Sequence, residues 1–372
     1  MKRKVLLLLV LLLVFISVHL VSVKTKTKSG SPVLQGYLNR DLSSTQNVFV
    51  NKSSDLPISQ KHNNVADIHI RSTITVINKG EKKPIFVPLS ESDVSSVMKF
   101  VLFVGYPRSG HSIIASMMDG HPDVVIAHEY NLFAKCSKFN PLSDLFQNKT
   151  DIVNALYKAS AHSARSGWRS DSITSKGYNL HTTEWHGTFN ELKVVGDKSG
   201  GRIAKYFYQN YTMAMACYRE LSSTVQVPIL FIHVVRNPFD MIATALIRKI
   251  TSIEDMRTLS LKKVQVPLDK VQDYVTSIFH FAEAVLRIKQ FAKVYEIHHE
   301  DFVRDPKTSV RNICAVLNLQ CSTEYVDRCY EKAYSVISKS RYSMEWDPVV
   351  KKRIEEEMNK YSFFSMYSFD GE

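Results

Sequence analysis

Short apolar runs alternate with longer amphipathic stretches between residues 97 and 361. The runs at 100–105 and 228–235 are continuous and rich in Val, Ile and Phe, which is typical of strands buried on both faces of a parallel sheet. Weaker strand patterns occupy residues 123–127, 191–196 and 293–297. Helical spacing predicts helices at 112–120, 151–165, 202–221, 239–250, 268–292, 306–317, 323–337 and 348–361. This alternation predicts an α/β protein with a parallel sheet flanked by helices in a single domain.

The turn after the first strand carries the most specific motif. Residues 105–112, Gly-Tyr-Pro-Arg-Ser-Gly-His-Ser, match the phosphate-loop spacing G-x-x-x-x-G-K-[ST], except that His111 replaces Lys. A strand, a glycine-containing loop and a helix gather backbone N–H groups around a phosphate. A nucleoside triphosphatase needs the missing Lys, whereas here the cation, Arg108, lies within the loop. The alternative is a strand–turn–helix corner with an incidental arginine.

Two charged residues follow the next two strands. Glu129 comes after the strand at 123–127, and Lys198 after the strand at 191–196, beside a glycine pair. Ligands of open α/β sheets bind at the carboxyl ends of the strands. Glu129 is therefore a candidate general base, with a solvated strand-end charge as the alternative. A lone lysine in a loop usually faces solvent, so only its place at the strand end makes Lys198 a candidate.

Arg236 directly follows the strand at 228–235. A nucleoside triphosphatase would have at this strand end the Asp that holds Mg²⁺. Thr244 follows eight residues later on the predicted helix, so the guanidinium and the hydroxyl can converge on one phosphate. The alternative is a structural pair of Arg236 with Asp240. The basic loop at 338–342 is either a cap on a nucleotide or a solvated loop.

Several histidines do not point to catalysis or to metal. His181 and His186 lie in an aromatic segment, 166–189, and are interpreted as structural or surface residues. Residues 298 and 299 are both His, but consecutive strand residues face opposite sides, so a chelating pair is not expected. We expect no metal.

The N-terminal region predicts a membrane anchor. Residues 5–23 form an uncharged, mostly apolar run after a basic tetrapeptide, and a cleaved signal peptide is the alternative. N-glycosylation sequons at Asn51, Asn148 and Asn210 all follow this run. We therefore expect a cytoplasmic tail at 1–4, a signal-anchor helix at 5–23, a lumenal stem at 24–95 and the main domain at 96–372.

Composition adds two constraints. The net charge of +12 favours anionic partners. Nucleic acid is not expected, because basic residues are not interleaved with aromatics and no zinc-finger spacing occurs. Five cysteines allow one or two disulfides, with the pairing open and at least one thiol unpaired within the chain.

Three segments together resemble the superfamily of sulfotransferases that use 3′-phosphoadenosine 5′-phosphosulfate (PAPS). They are PRSGHS, VVRNPFD together with Thr244, and VYEIHHEDFVRDP. The similarity spans roughly residues 97–319. The resemblance implies the sulfotransferase fold and a donor used without metal. The residues it implies for the 5′-phosphosulfate are Arg108, Ser109, Gly110, His111 and Ser112. Arg236 and Thr244 would bind the 3′-phosphate.

Within that superfamily, RSGHSIIASMMDGHPDVVIAHE is most similar to the Golgi tyrosylprotein sulfotransferases. This implies that Glu129 is the base and that Lys198 assists the leaving phosphate. It also implies a type II Golgi membrane protein with a lumenal catalytic domain, acting on a protein tyrosine or glycan hydroxyl; a homodimer is compatible with it. The sequence departs from the family pattern at three positions: His111 replaces Thr, Thr244 replaces Ser and His299 replaces Tyr. The alternatives are a P-loop kinase or nucleoside triphosphatase and an inactive nucleotide-binding secretory protein.

Overall fold

The computed structural model describes residues 88–166, 182–250 and 263–371. No helix in these three ranges is long and apolar enough to cross a membrane. The predicted anchor at 5–23, the stem up to residue 87, Asn51 and His181 lie outside the described residues.

A five-stranded parallel sheet forms the centre of the described chain. Its order is β2-β3-β1-β4-β5, so β1 lies in the middle. The strands are β1 Lys99–Gly105, β2 Val124–His128, β3 Val194–Lys198, β4 Ile229–Val235 and β5 Lys293–His298. The sequence-based prediction of a parallel α/β sheet is confirmed.

Each strand is followed along the chain by a helix, and one short helix precedes the first strand. The helices of the described ranges are α1 Glu91–Ser95, α2 His111–Asp119, α3 Lys149–Ser166, α4 Gly200–Gln209, α5 Tyr211–Val225, α6 Pro238–Ile250, α7 Leu268–Lys289, α8 His299–Arg304, α9 Pro306–Leu317, α10 Thr323–Lys332 and α11 Pro348–Met358. Prolines at the first position of α6, α9 and α11 fit the helix N-terminus, where no N–H bond is lost. Short 3₁₀ turns occupy Leu132–Lys135, Leu145–Gln147, Ser340–Ser343 and Ser362–Phe364.

Two helix predictions and one strand assignment were wrong in detail. The helix expected at 202–221 is two helices, because the backbone of Asn210 leaves the helical region at φ −139° and ψ 57°. The helix expected to reach residue 337 ends at Lys332, since Ala333 is extended. His299 was treated as a strand residue but begins the short helix α8.

The core has two layers, one on each face of the sheet. Side chains of β1 alternate between them: Phe100, Leu102 and Val104 join one cluster, whereas Val101 and Phe103 join the other. Residues 100–103 have no exposed surface, because helices cover both faces. The middle strand is therefore packed on both faces, and the loop that follows it begins at the centre of the sheet.

The structure contains two disulfides, which agrees with the expected range. Cys136–Cys217 joins the segment after β2 to α5 across 81 residues, and Cys314–Cys321 closes a separation of 7 residues. Cys329 is buried as a free thiol.

We expect the Cys136→Ser/Cys217→Ser variant to lose about 4 kcal/mol of unfolding free energy, because the loop closed by this disulfide is long. The Cys314→Ser/Cys321→Ser variant is the control and should lose about 2 kcal/mol, since its loop is short. Guanidinium unfolding of both variants beside the parent measures the difference. Equal losses would contradict the loop-length argument.

Candidate active site

The phosphate loop follows β1 and leads into α2. Gly105, Arg108 and Gly110 have positive φ angles of 132°, 69° and 95°, so the backbone turns back on itself before the helix. The N-terminus of α2 has no side-chain cap, and its first N–H groups are therefore available to an anion. Arg108 is exposed, whereas Ser109 is buried. This arrangement fits the predicted 5′-phosphosulfate cradle.

His111 does not replace the positive charge of the missing lysine. Burial, and then the charge of Lys198, lower the pKa of His111 to about 3, so the ring is neutral at physiological pH. Its Nδ1 lies 3.2 Å from the Ser109 hydroxyl. His111 is therefore a packing and hydrogen-bonding residue at the start of α2.

Lys198 joins the loop to the predicted base. Its side chain has no exposed surface, and Nζ donates to Glu129 Oε1 at 2.9 Å and to Ser112 Oγ at 3.3 Å. Lys198 is therefore not the solvent-facing lysine that is usual in loops. Lys198, at the end of β3, thus hydrogen-bonds two other predicted site residues, one after β2 and one in the first turn of α2.

Glu129 is a charged carboxylate. Burial is the largest influence and raises its pKa, but the charge and hydrogen bond of Lys198 and the charge of Arg202 together lower the pKa below its usual value. Arg202 Nη2 lies 3.6 Å from Glu129 Oε2, and the Glu129 side chain is 39% exposed. The carboxylate is accessible and deprotonated at neutral pH, as a proton acceptor must be.

Asp197 holds the turn that carries Glu129, and sequence reasoning missed it. Glu129 and Asn131 both have positive φ, 55° and 61°. The buried Asp197 carboxylate accepts the backbone N–H groups on either side of Asn131, at 2.8 and 3.1 Å, and the hydroxyl of Ser199. Its place directly before Lys198 at a strand end was the available signal. Asp197 therefore positions the base without touching it.

Activity should depend on the ionisation of Asp197. Burial raises its pKa to about 6, so the carboxylate that holds the turn forms as pH rises through that value. We expect kcat/KM to fall as pH drops below about 6, and Asp197→Asn to be less active at every pH and to lack this acid limb. The pH profiles of both proteins measure this, with Asp123→Asn, at the opposite end of the sheet, as the control. An unchanged limb in Asp197→Asn would contradict the assignment.

Arg236 lies directly against the phosphate loop. It is 6% exposed, and its Nη1 and Nη2 donate to the carbonyls of Arg108, at 2.9 Å, and Ser338, at 2.8 Å. Asp240 pairs instead with the buried Arg341, at 2.5 Å. The sequence predicts that the Arg236 guanidinium binds a phosphate through two nitrogens. In the structure Nη1 and Nη2 each donate to a backbone carbonyl, and Nε has no hydrogen-bond partner.

Thr244 is covered by the segment 338–341. Its hydroxyl lies 2.7 Å from Ser340 Oγ, which itself donates to the carbonyl of Asp240 at 3.0 Å. Thr244 therefore donates to Ser340. The segment thus contacts both residues expected at the 3′-phosphate, and its role as a nucleotide cap stays a prediction.

Two further histidines, His186 and His121, bear on the structural and metal predictions. His186 is buried against Asp119, 3.4 Å away, and is structural as expected. Within the described ranges, one His/Cys group has ligand atoms close enough for a metal, namely His121 with Cys314 and Cys321. Its two sulfurs form a disulfide.

The fold is an α/β protein with a phosphate-loop motif after the central strand of a parallel sheet. Residues 101–323 match the model of the sulfotransferase family. The match covers more than half of the 372 residues, and the chain belongs to the sulfotransferase family. No curated protein sequence matches it.

Three sulfotransferases are among the solved structures with similar chains. Mouse sulfotransferase SULT7A1 complexed with PAP is 13% identical, with a TM-score of 0.39 and coverage of 73% of this chain and 89% of that chain. Sulfotransferase STF9 from Mycobacterium avium is 10% identical, with a TM-score of 0.38 and coverage of 73% and 79%. The sulfotransferase domain of the Synechococcus PCC 7002 olefin synthase is 14% identical, with a TM-score of 0.36 and coverage of 70% and 88%.

Proposed function

We propose that this sulfotransferase moves a sulfuryl group from PAPS to the hydroxyl of a protein tyrosine or a glycan in the secretory pathway. The observation that carries the proposal is the position of Lys198, whose Nζ bridges the predicted base Glu129, at 2.9 Å, and the first turn of α2, at 3.3 Å. Lys198 thus brings a base and a helix N-terminus to one place. Transfer of a sulfuryl group needs a base for the acceptor hydroxyl, and it needs positive groups for the phosphate that leaves.

Two cradles support a donor with phosphate groups at both ends. The loop after β1 presents Arg108 and the uncapped N-terminus of α2 to the 5′-phosphosulfate. Arg236, at the end of the neighbouring strand β4, lies on the same loop and is assigned to the 3′-phosphate with Thr244. Because the guanidinium of Arg236 touches the carbonyl of Arg108, one nucleotide can reach both cradles.

In the proposed mechanism, Glu129 takes the proton of the acceptor hydroxyl as the oxygen attacks sulfur. The bond between sulfur and the 5′-phosphate oxygen breaks, and its electron pair leaves with the 3′,5′-bisphosphate product, PAP. Arg108, Lys198 and the loop N–H groups stabilise the charge on the sulfuryl group and the departing oxygen. Cations of the chain already neutralise this leaving group, so the proposal requires no metal.

A Golgi location and a type II orientation belong to the same proposal. The apolar run at 5–23 supports a membrane anchor, and the sequon residues Asn148 and Asn210 are both exposed in the structure. If the main domain is lumenal, endoglycosidase treatment of protein from secretory cells should increase its gel mobility. Asn148→Gln and Asn210→Gln variants should show smaller shifts. Unmodified asparagines at both positions would contradict the lumenal placement.

Incubation with ³⁵S-labelled PAPS, tyrosine-containing acidic peptides and glycosaminoglycans tests the function. We expect label to appear on an acceptor in the presence of EDTA, and no hydrolysis of ATP with Mg²⁺. ATP hydrolysis would favour the kinase or nucleoside triphosphatase alternative. Binding of PAP without transfer to any acceptor would favour an inactive binding protein.

A further inference from the structure

A row of hydrogen-bonded side chains lies behind the phosphate loop, on the side of β4 and β5. The parallel register places His233 of β4 between Val104 of β1 and Glu296 of β5. Tyr106, the second residue of the loop motif, belongs to the same core layer as Val104. His233 Nε2 lies 3.2 Å from the Tyr106 hydroxyl, and its Nδ1 lies 2.9 Å from Glu296 Oε1. One histidine thus links the loop to the edge strand of the sheet.

The ionisation of each group gives these hydrogen bonds their direction. Burial raises the pKa of Glu296, but hydrogen bonds with His233 and Lys289 outweigh burial and bring the pKa to about 2. The carboxylate therefore only accepts, and His233 Nδ1 carries the proton. Burial lowers the pKa of His233, so the ring is neutral and its Nε2 accepts. Burial raises the pKa of Tyr106 well above its usual value, and its hydroxyl donates to Nε2.

The row is buried at the loop and reaches solvent at its other end. Tyr106 and His233 have no exposed surface. The side chains of Glu296 and Lys289 are 28% and 29% exposed, and Lys289 Nζ donates to Glu296 Oε1 at 2.8 Å. Buried polar groups are costly when unpaired, and here each one has its partner. Tyr106 is therefore held by its hydroxyl as well as by packing.

The loop that follows needs such support, because its backbone is bent at three positions. Gly105, Arg108 and Gly110 all have positive φ, which is unfavourable for a residue with a side chain such as Arg108. Tyr106 lies between the first two of these positions. The His233 ring also packs below Gly105, where an added β-carbon would lie 3.1 Å from ring Cδ2. Tyr106 is thus an anchor at the start of the loop.

We propose that Glu296, His233 and Tyr106 form a positioning chain that holds the phosphate loop in the shape that binds the donor. This inference rests on the proposed function, in which the loop receives the 5′-phosphosulfate. The chain acts through the loop backbone and not by contact with the donor. Glu129 and Lys198 follow β2 and β3, on the other side of β1. Breaking the chain should therefore weaken donor binding and leave the proton transfer unchanged.

Tyr106→Phe tests the inner end of the chain, because it removes one hydroxyl and keeps the ring. We expect this variant to bind PAP about tenfold more weakly in calorimetry. Its KM for PAPS should rise by the same factor in ³⁵S transfer, with kcat at saturating PAPS unchanged. The matched control is Tyr295→Phe, which makes the same change in a half-buried tyrosine on the opposite face of the sheet. It should bind PAP like the parent.

Two variants of Glu296 test the outer end. Glu296→Gln keeps an oxygen that can accept from His233 Nδ1, whereas Glu296→Leu removes it. We expect the Gln variant to keep most of the PAP affinity and the Leu variant to lose several-fold. The double variant Tyr106→Phe/Glu296→Leu should bind PAP no more weakly than Tyr106→Phe alone, because one break already disconnects the chain.

The outcomes separate this inference from the proposed function. If the parent protein does not bind PAP, the proposed function fails. If the parent binds PAP and Tyr106→Phe binds it as tightly, the chain does not position the loop, even if thermal unfolding shows a less stable protein. The same holds if Tyr295→Phe loses as much affinity, or if the two Glu296 variants lose equal affinity. If Tyr106→Phe does not fold, the comparison of Glu296→Gln with Glu296→Leu decides, since Glu296 is partly exposed and both should fold.

Discussion

Glu129→Gln is expected to lower kcat about 10²-fold or more and to leave PAP affinity unchanged. The amide keeps the shape of the side chain and an oxygen that can still accept from Lys198 Nζ, now 2.9 Å from the carboxylate. What it loses is the ability to take the proton of the acceptor hydroxyl. Steady-state transfer of ³⁵S and calorimetry with PAP measure the two effects separately.

The matched control is Glu191→Gln, at the amino end of β3. Glu191 is 58% exposed and pairs with Lys193 at 3.0 Å, away from the carboxyl ends of the strands. It should keep the parent rate. A Glu129→Gln enzyme with parental kcat would show that another group takes the proton.

Lys198→Met is expected to lower kcat by about 10²- to 10³-fold, the effect of removing one preorganised donor from a developing negative charge. The side chain is 0% exposed, so the charge acts in a site with little competing water. Methionine fills the same space, and the fold should be retained.

The pH profile of Lys198→Met should also change. The charge and hydrogen bond of Lys198 lower the pKa of Glu129, while burial raises it. Removing the cation leaves burial to dominate, and the Glu129 pKa then rises. Lys198 also lowers the pKa of Asp197, so the acid limb, to which both carboxylates contribute, should move to higher pH than in the parent. The control Lys193→Met, at the opposite end of β3, should change neither kcat nor the acid limb of the pH profile. An equally large fall in kcat in this control would point to a loss of strand stability.

The sheet and the phosphate loop were predictable because their signals are local. The apolar run at 100–105 and the spacing from Gly105 to Ser112 lie within one strand, one turn and one helix. The pairing of Glu129 with Lys198 could not be deduced in that way. It depends on β3 lying between β1 and β2, which places His128 beside Lys198 in the register.

Contacts between distant segments were also beyond sequence reasoning. Asp240 was considered as a partner of Arg236, yet it binds Arg341, 101 residues away. His299 was noted only as a departure from a family pattern, since its contact with Gly110 joins residues from β5 and the loop after β1. Such contacts follow from the tertiary packing of the segments and not from residue spacing.

A crystal structure of the protein with PAP tests the central claim most directly, which is that one nucleotide bridges the loop after β1 and the end of β4. The account predicts the 5′-phosphate at the N-terminus of α2 near Arg108 and Lys198, and the 3′-phosphate at Arg236. A nucleotide bound elsewhere, or one whose two phosphates do not reach both Arg108 and Arg236, would contradict it.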